Sequence, residues 1–209
     1  MTVSGIPKQT LLRLPIYLNY LKQISGTGTQ NMSATKIAAA LNLNHVVVRK
    51  DLASISSSGK PKIGYNVNQL IGELESFLGY NDSLNAVIIG AGSLGKALLK
   101  HEGFSECGFN IIAAFDNDPR AYNDKSINKA ILPIERLKEF AKLNHVKVGI
   151  ITCPDNAAQQ IANLLVESEI YSIWNFTSVQ LTVPEYVYVL NENMASSLIL
   201  LSKHINGKQ

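Results

Sequence analysis

Three glycines, Gly90, Gly92 and Gly95, stand at the G-x-G-x-x-G spacing that lets a backbone hold a pyrophosphate. They follow the apolar run Val87-Ile88-Ile89, which reads as a buried strand. The first glycine permits a tight turn, the second lets a phosphate approach the backbone, and the third lets the next helix pack close to the strand. Ala91, Ser93 and Leu94 complete the turn and the helix start, where free N–H groups and the positive end of the helix dipole favour an anion. A second apolar run, 110–115, ends in Asp116, about 20 residues past the last glycine, where an acid accepts from a ribose hydroxyl. A carboxylate there repels a ribose 2′-phosphate, which favours NAD over NADP. Thr152, Cys153 and Pro154 close a third apolar run, and Asn175, Phe176 and Thr177 close a fourth. Ligands of open α/β sheets bind beyond the carboxyl ends of the strands, so Thr152, Pro154 and Asn175 join the candidates for cofactor binding.

A nucleotide site raises the question of hydride chemistry. No tyrosine is followed by a lysine four residues later, which removes one common acid–base pair. Of His45, His101, His145 and His204, only His101 falls near the expected cofactor face. Cys107 and Cys153 have neither C-x-x-C nor metal-ligand spacing. No catalytic set and no metal site is expected, and a nucleotide site without proton-moving groups suits a sensor. An NAD-dependent oxidoreductase with a basic appendage is the alternative.

The elements that hold these residues alternate. Strands are expected over 85–89, 110–115, 146–153 and 170–174, and helices over 93–101, 133–143 and 155–168. On the first helix Leu94, Ala97 and Leu98 are expected to face inward. This rhythm predicts a parallel α/β sheet covered on both faces, a Rossmann domain over 81–190. A last helix over 191–205 has an apolar stripe of Met194, Leu198, Leu201 and Ile205, which fits either a second subunit or the chain's own surface.

Residues 1–80 are of another kind. Lys8, Arg13, Lys22, Lys36, Arg49, Lys50, Lys60 and Lys62 face the single acid Asp51 within 1–65, a net charge of +7, while the rest of the chain is net −4. Such a basic head points to a polyanion. Helices are expected over 9–24, 34–41 and 45–55. The first carries Leu12, Ile16, Tyr20 and Leu21 in its stripe, widened by Leu14 and Leu18, and Pro15 either kinks it or marks its start. Ser33 and Asn44 are suited to cap the second and third. Val46-Val47-Val48 disfavours helix, but Val47, Leu52 and Ile55 fall on or near one face. Three helices with a tight turn between the last two make a helix-turn-helix, with His45, Arg49 and Lys50 outward on the recognition helix. The basic, turn-rich stretch 56–65 follows as a β-hairpin wing carrying Lys60 and Lys62, and a helix over 68–80 joins the halves. Duplex DNA is the polyanion this arrangement fits.

The chain has 209 residues, 46% hydrophobic and 17% charged, which suits a globular protein of two small domains. No apolar run reaches the length of a membrane span, and residues 1–10 lack a signal-peptide pattern, so a cytoplasmic protein is expected.

Several segments recur in a familiar order and spacing. They are Ile6-Pro7, Arg13-Leu14-Pro15-Ile16-Tyr17, Val48-Arg49-Lys50-Asp51-Leu52, Gly59-Lys60 and Gly64-Tyr65-Asn66-Val67 in the basic head. The glycine turn, Ala114-Phe115-Asp116, Ile151-Thr152-Cys153-Pro154 and Trp174-Asn175-Phe176 follow. In these the chain resembles the Rex-type family of redox-sensing transcriptional repressors over nearly its whole length. The resemblance implies a homodimer of N-terminal winged-helix and C-terminal Rossmann domains, with the last helix swapped onto the partner. It further implies NAD(H) as effector and a palindromic double-stranded DNA operator, bound when NADH is low and released when NADH binds. The sequence departs from the family pattern at Asn19, where an arginine is typical, and at His101, where a tyrosine is. Asn193 and Met194 replace an aspartate and a phenylalanine, Ser56 and Lys62 replace glycines, and Ser54 and Ile55 replace aromatics. A relative with lost or altered NADH response is therefore the second reading.

Overall fold

A computed structural model of the chain describes all residues except Met1, Ser4, Asn123, Lys125, Met194, Ser197, Leu200, Leu201 and 204–209; the side chains of Thr2 and Val3 are also outside it. The chain divides into two units, Met1–Asn81 and Asp82–Gln209.

In the first unit, β1 (Thr2–Val3) pairs antiparallel with β2 (Ile6–Pro7) ahead of α1 (Lys8–Ser25). Pro15 lies inside α1, so the helix neither starts nor ends there. It buries Leu14, Tyr17, Leu18 and Leu21 and leaves Leu12 and Ile16 exposed. The expected stripe was thus out of phase: Leu14 and Leu18, the flanks of the sequence pattern, are its centre, because Tyr17 turns its ring inward with them. Next come β3 (Asn31–Met32), α2 (Ala34–Ala40) and α3 (His45–Ala53). The Ser33 side chain accepts from the Lys36 N–H and that of Asn44 from the Val46 N–H, so both expected caps are formed. Val48 and Leu52 are fully buried, whereas Val47 is exposed. The burial expected of Val47 falls to Val48, since one residue rotates a helix by about 100°.

The stretch after α3 makes less sheet than a hairpin wing would. Lys60 and Gly64 exchange backbone hydrogen bonds of 2.9 Å in each direction, a single bridge. Pro61 has no N–H to donate, and Lys62 adopts a left-handed φ of 66°, so the ladder ends there. β4 (Tyr65–Asn66) pairs antiparallel with β3 and leads into α4 (Val67–Leu78), which is capped by Asn66 and buries Leu70 and Leu74.

In the second unit, β5 (Leu84–Ile89), β6 (Phe109–Asp116), β7 (Ala130–Pro133), β8 (Val148–Ile151), β9 (Ser172–Asn175) and β10 (Tyr188–Asn191) form, among the described residues, a six-stranded parallel sheet in the order β10-β9-β8-β5-β6-β7. This is the doubly wound order of dinucleotide-binding folds, with its reversal point between β5 and β8. α5 (Ser93–Lys100) covers one face, burying Gly95 and Leu99. Ala97, expected to face in, is exposed. α6 (Leu137–Leu143) and α7 (Asp155–Glu167) cover the other face over a core of Val87, Ile89, Phe115, Ile151 and Leu165. The helix expected over 133–143 begins as a 3-10 turn at Ile134–Arg136. β7 and β10 were not expected from sequence. β7 ends in Pro133, which an edge strand tolerates. The last helix does not begin at Asn191, which is the end of β10. Ala195, Ser196, Leu198, Ile199, Ser202 and Lys203 are helical, while Met194, Leu201 and Ile205 of the expected stripe lie outside the described residues. Among the described residues no helix is long and apolar enough to cross a membrane.

Candidate nucleotide and DNA sites

At the tip of β5 each glycine has a separate job. Gly90 has φ of 106°, and a Cβ there would lie 2.6 Å from the Cys153 nitrogen, so only glycine makes this turn beside the end of β8. A Cβ on Gly92 would meet nothing within 4 Å: this backbone faces open space that a phosphate can enter. On Gly95 it would sit 2.0 Å from the Gly90 carbonyl oxygen, the mark of a helix packed hard against the turn. No side chain caps α5 at Gly92, so the first-turn N–H groups around Ser93 and Leu94 remain available to an anion. Thr152 donates its hydroxyl to the Gly90 carbonyl at 2.7 Å and fixes the turn from the β8 side.

Asp116 ends β6 beside this turn. One carboxylate oxygen accepts from the Ala91 N–H at 2.6 Å and the other from the Asp118 N–H at 2.8 Å. The acid thus shapes the glycine turn and keeps lone pairs for hydroxyls. A cavity of about 870 Å³ opens here, lined by Gly90, Asp116, Asn117, Cys153 and Pro154 among others. Burial pushes the Cys153 thiol up, against the pull of a backbone hydrogen bond. Asp116 at the turn and Glu167 on α7 are the carboxylates of this lining, and the neutral thiol and amides between them bind and orient a ligand. Asn175 differs from the other candidates. It is fully buried, donates to the Val179 carbonyl and to Asn191 Oδ1, and accepts from the N–H and hydroxyl of Thr177. Its side chain is committed to tying β9, its following loop and β10 together. His101 ends α5 and meets Phe104 edge-on at 4.8 Å, and Phe104 in turn meets Trp174.

In the N-terminal unit, His45, Arg49 and Lys50 are exposed on α3, and Lys60 and Lys62 on the turn after it. The sole acid of residues 1–65 is hidden. Asp51 is 4% exposed and accepts four hydrogen bonds: from Arg13 Nε at 2.7 Å, Arg13 Nη2 at 2.9 Å, the Tyr17 hydroxyl at 2.8 Å and the Thr10 hydroxyl at 2.8 Å. Burial alone would raise the Asp51 carboxyl; the bonds from Arg13, Tyr17 and Thr10 outweigh it and hold it below the usual range. α1 is thereby clamped to α3, and the outward face of α3 is left cationic. Sequence reading placed no role on this network. Its signal was present: one acid among eight cations within residues 1–65.

The comparisons with known proteins follow the same division. A family described as "CoA binding domain" matches residues 81–179, and one described as "Putative DNA-binding protein N-terminus" matches residues 5–53. The redox-sensing transcriptional repressor Rex of Treponema denticola is 40% identical over 197 residues, 94% of each chain. That of Desulforamulus reducens is 35% identical over 209 residues, 100% of both. Among solved structures, the chain is similar to RSP in complex with beta-NAD+ and operator DNA, with a TM-score of 0.92 and 30% identity, covering 100% of this chain and 95% of that one. The complex of RSP with beta-NADH gives a TM-score of 0.87, also at 30% identity, over 100% of this chain and 97% of that one.

Proposed function

The chain belongs to the Rex family of redox-sensing transcriptional repressors, and we propose that it binds a palindromic DNA operator as a homodimer and leaves it when NADH fills the cavity at the tip of β5. The observation that carries this reading is the phosphate cradle: an open Gly92, an uncapped α5 and Asp116 on one turn, beside a cavity of about 870 Å³. Gly90, Ala91, Gly92, Ser93, Leu94 and Gly95 hold the pyrophosphate, Asp116 the adenosine ribose, and Thr152 and Pro154 the β8 side of the site. NAD(H) supplies the redox signal by its charge and ring shape, and the chain's own residues bind it without reacting. Arg49, Lys50, Lys60 and Lys62 neutralise phosphates, and His45 stands at the first turn of α3 near base edges.

A dimer is supported by the sheet face that α5 leaves open. Leu84, Phe104, Val148, Trp174 and Leu190 line an apolar groove of about 650 Å³ there. Leu198 and Ile199 of the last helix are 66% and 60% exposed, and a second copy's helix suits that groove. Such a regulator works where the chromosome is, in the cytoplasm.

Three measurements test the reading. Sedimentation gives the oligomeric state. Duplex affinity at 50 and 200 mM salt should fall by about 10³-fold or more if a dimer neutralises six or more phosphates. NADH fluorescence should be enhanced on binding, and Gly92→Val should abolish that enhancement. A monomer without affinity for duplex DNA at low salt refutes the proposal.

A further inference from the structure

The first turn of α3 holds three consecutive valines after His45, a run that works against the helix because β-branched side chains lose χ1 freedom there. The core needs only the third. Val48 is fully buried, with Leu52 one turn on. Val46 is half-buried and Val47 is 36% exposed, and the apolar cluster under α3 takes in neither. Two adjacent apolar side chains thus stand at the start of the helix against propensity, with no core contact to account for them. Around them are the exposed His45, Arg49 and Lys50, whose side chains have no ion-pair or hydrogen-bond partner among the described residues.

We propose that Val46 and Val47 read the 5-methyl group of thymine in the major groove. This rests on the reading of α3 as a helix that enters duplex DNA. A recognition helix presents its N-terminal residues to base edges. Of the four bases, thymine alone adds a methyl to its major-groove edge; the others offer only hydrogen-bonding atoms there. Valine has no side-chain donor or acceptor, so a methyl is the one feature it matches. The flanking cations suit phosphates or a guanine edge, and they hold the apolar pair against the duplex. Val46 and Val47 therefore determine sequence specificity, while Arg49 and Lys50 supply most of the affinity.

The test uses the full chain and a duplex site enriched from a random pool by binding. Each thymine of that site is replaced in turn by deoxyuridine, which lacks only the methyl, and affinity is read by fluorescence anisotropy at two salt concentrations. At least one thymine per half-site should be sensed, its replacement weakening binding about fourfold, the worth of one methyl-sized group taken out of water. In the Val46→Ala, Val47→Ala double variant the penalty should shrink to less than about twofold, because alanine keeps one methyl but loses valine's reach. Its slope of affinity against salt should not change, because no phosphate contact is lost. Alanine is the better helix former, so the variant keeps α3. The proposal is overturned if duplex binding persists and no thymine methyl is sensed, or if the double variant keeps the full deoxyuridine penalty. Failure to bind any duplex at low salt overturns the repressor reading and this inference together.

Discussion

Asp51→Asn removes the charge that joins α1 to α3 and leaves shape almost unchanged. In the native fold the carboxylate takes a bidentate fork from Arg13 and one hydroxyl each from Tyr17 and Thr10, all within 2.9 Å. Breaking a buried ion pair by removing one partner costs about 3–5 kcal/mol. The Arg13 side chain retains 24% of its surface and can rehydrate. Asparagine also keeps one acceptor oxygen, so a loss of about 3 kcal/mol, the low end of that range, is expected. For a unit of this size total stability is roughly 4–12 kcal/mol. The melting temperature should then fall by about 12–24 °C. Scanning calorimetry of the full chain at pH 7 reads this, while the fluorescence of Trp174, the single tryptophan, follows the C-terminal unit. The pH arm has a defined sign. Asp51 is depressed in the fold, so its contribution is present above the unfolded carboxyl pKa of about 3.9 and is lost as pH falls through its lower folded value. Burial, helped by the bond to Asp51, lifts Tyr17 to about 12, so its contribution is present below the unfolded pKa of about 10 and is lost as pH rises towards the folded one. Asp51→Asn should remove the acid limb. A loss under about 1 kcal/mol, or an unchanged acid limb, refutes the claim that this network holds the recognition helix.

Other changes have equally definite outcomes. Gly95→Ala drives a Cβ to 2.0 Å from the Gly90 carbonyl, so NADH titration should show lost affinity and the C-terminal unit should lose about 1–3 kcal/mol by Trp174-monitored urea melting. Lys62→Gly relieves a left-handed lysine and should stabilise the N-terminal unit by up to about 1 kcal/mol while reducing the salt slope of dimer binding to DNA by about two, one for each copy. Asp116→Asn removes the charge that repels a 2′-phosphate, and competition binding should show the preference for NADH over NADPH shrinking roughly tenfold, about 1–2 kcal/mol of repulsion.

The glycine turn was legible because each of its glycines does something no other type can: one takes a left-handed φ, one leaves space, and one lets α5 pack where an added Cβ would lie 2.0 Å from the Gly90 carbonyl oxygen. The order β5, α5, β6 and the caps Ser33 and Asn44 were legible for the same reason, since local chemistry decides them. What local chemistry leaves open was misread. The inward phase of α1 depends on Tyr17 reaching Asp51, a contact between residues 34 apart in the chain. Val47 and Val48 are chemically identical, and only which of them faces the core with Leu52, one turn on, separates them. β7 and β10 are four residues each and carry no period long enough to read. Asn175 has the residue type of a ligand at a strand end, but its burial, which no sequence pattern encodes, turns its amide to the backbone of the loop after β9 and to the Asn191 side chain.

The measurement closest to the central claim is the affinity of the chain for an operator duplex at fixed salt, with NADH and NAD+ titrated separately. Release by NADH at concentrations where NAD+ leaves the complex intact is the predicted result, and it makes the cavity at β5 and the cations of α3 parts of one switch. A complex that neither nucleotide disturbs, formed by a protein that still binds NADH, contradicts it.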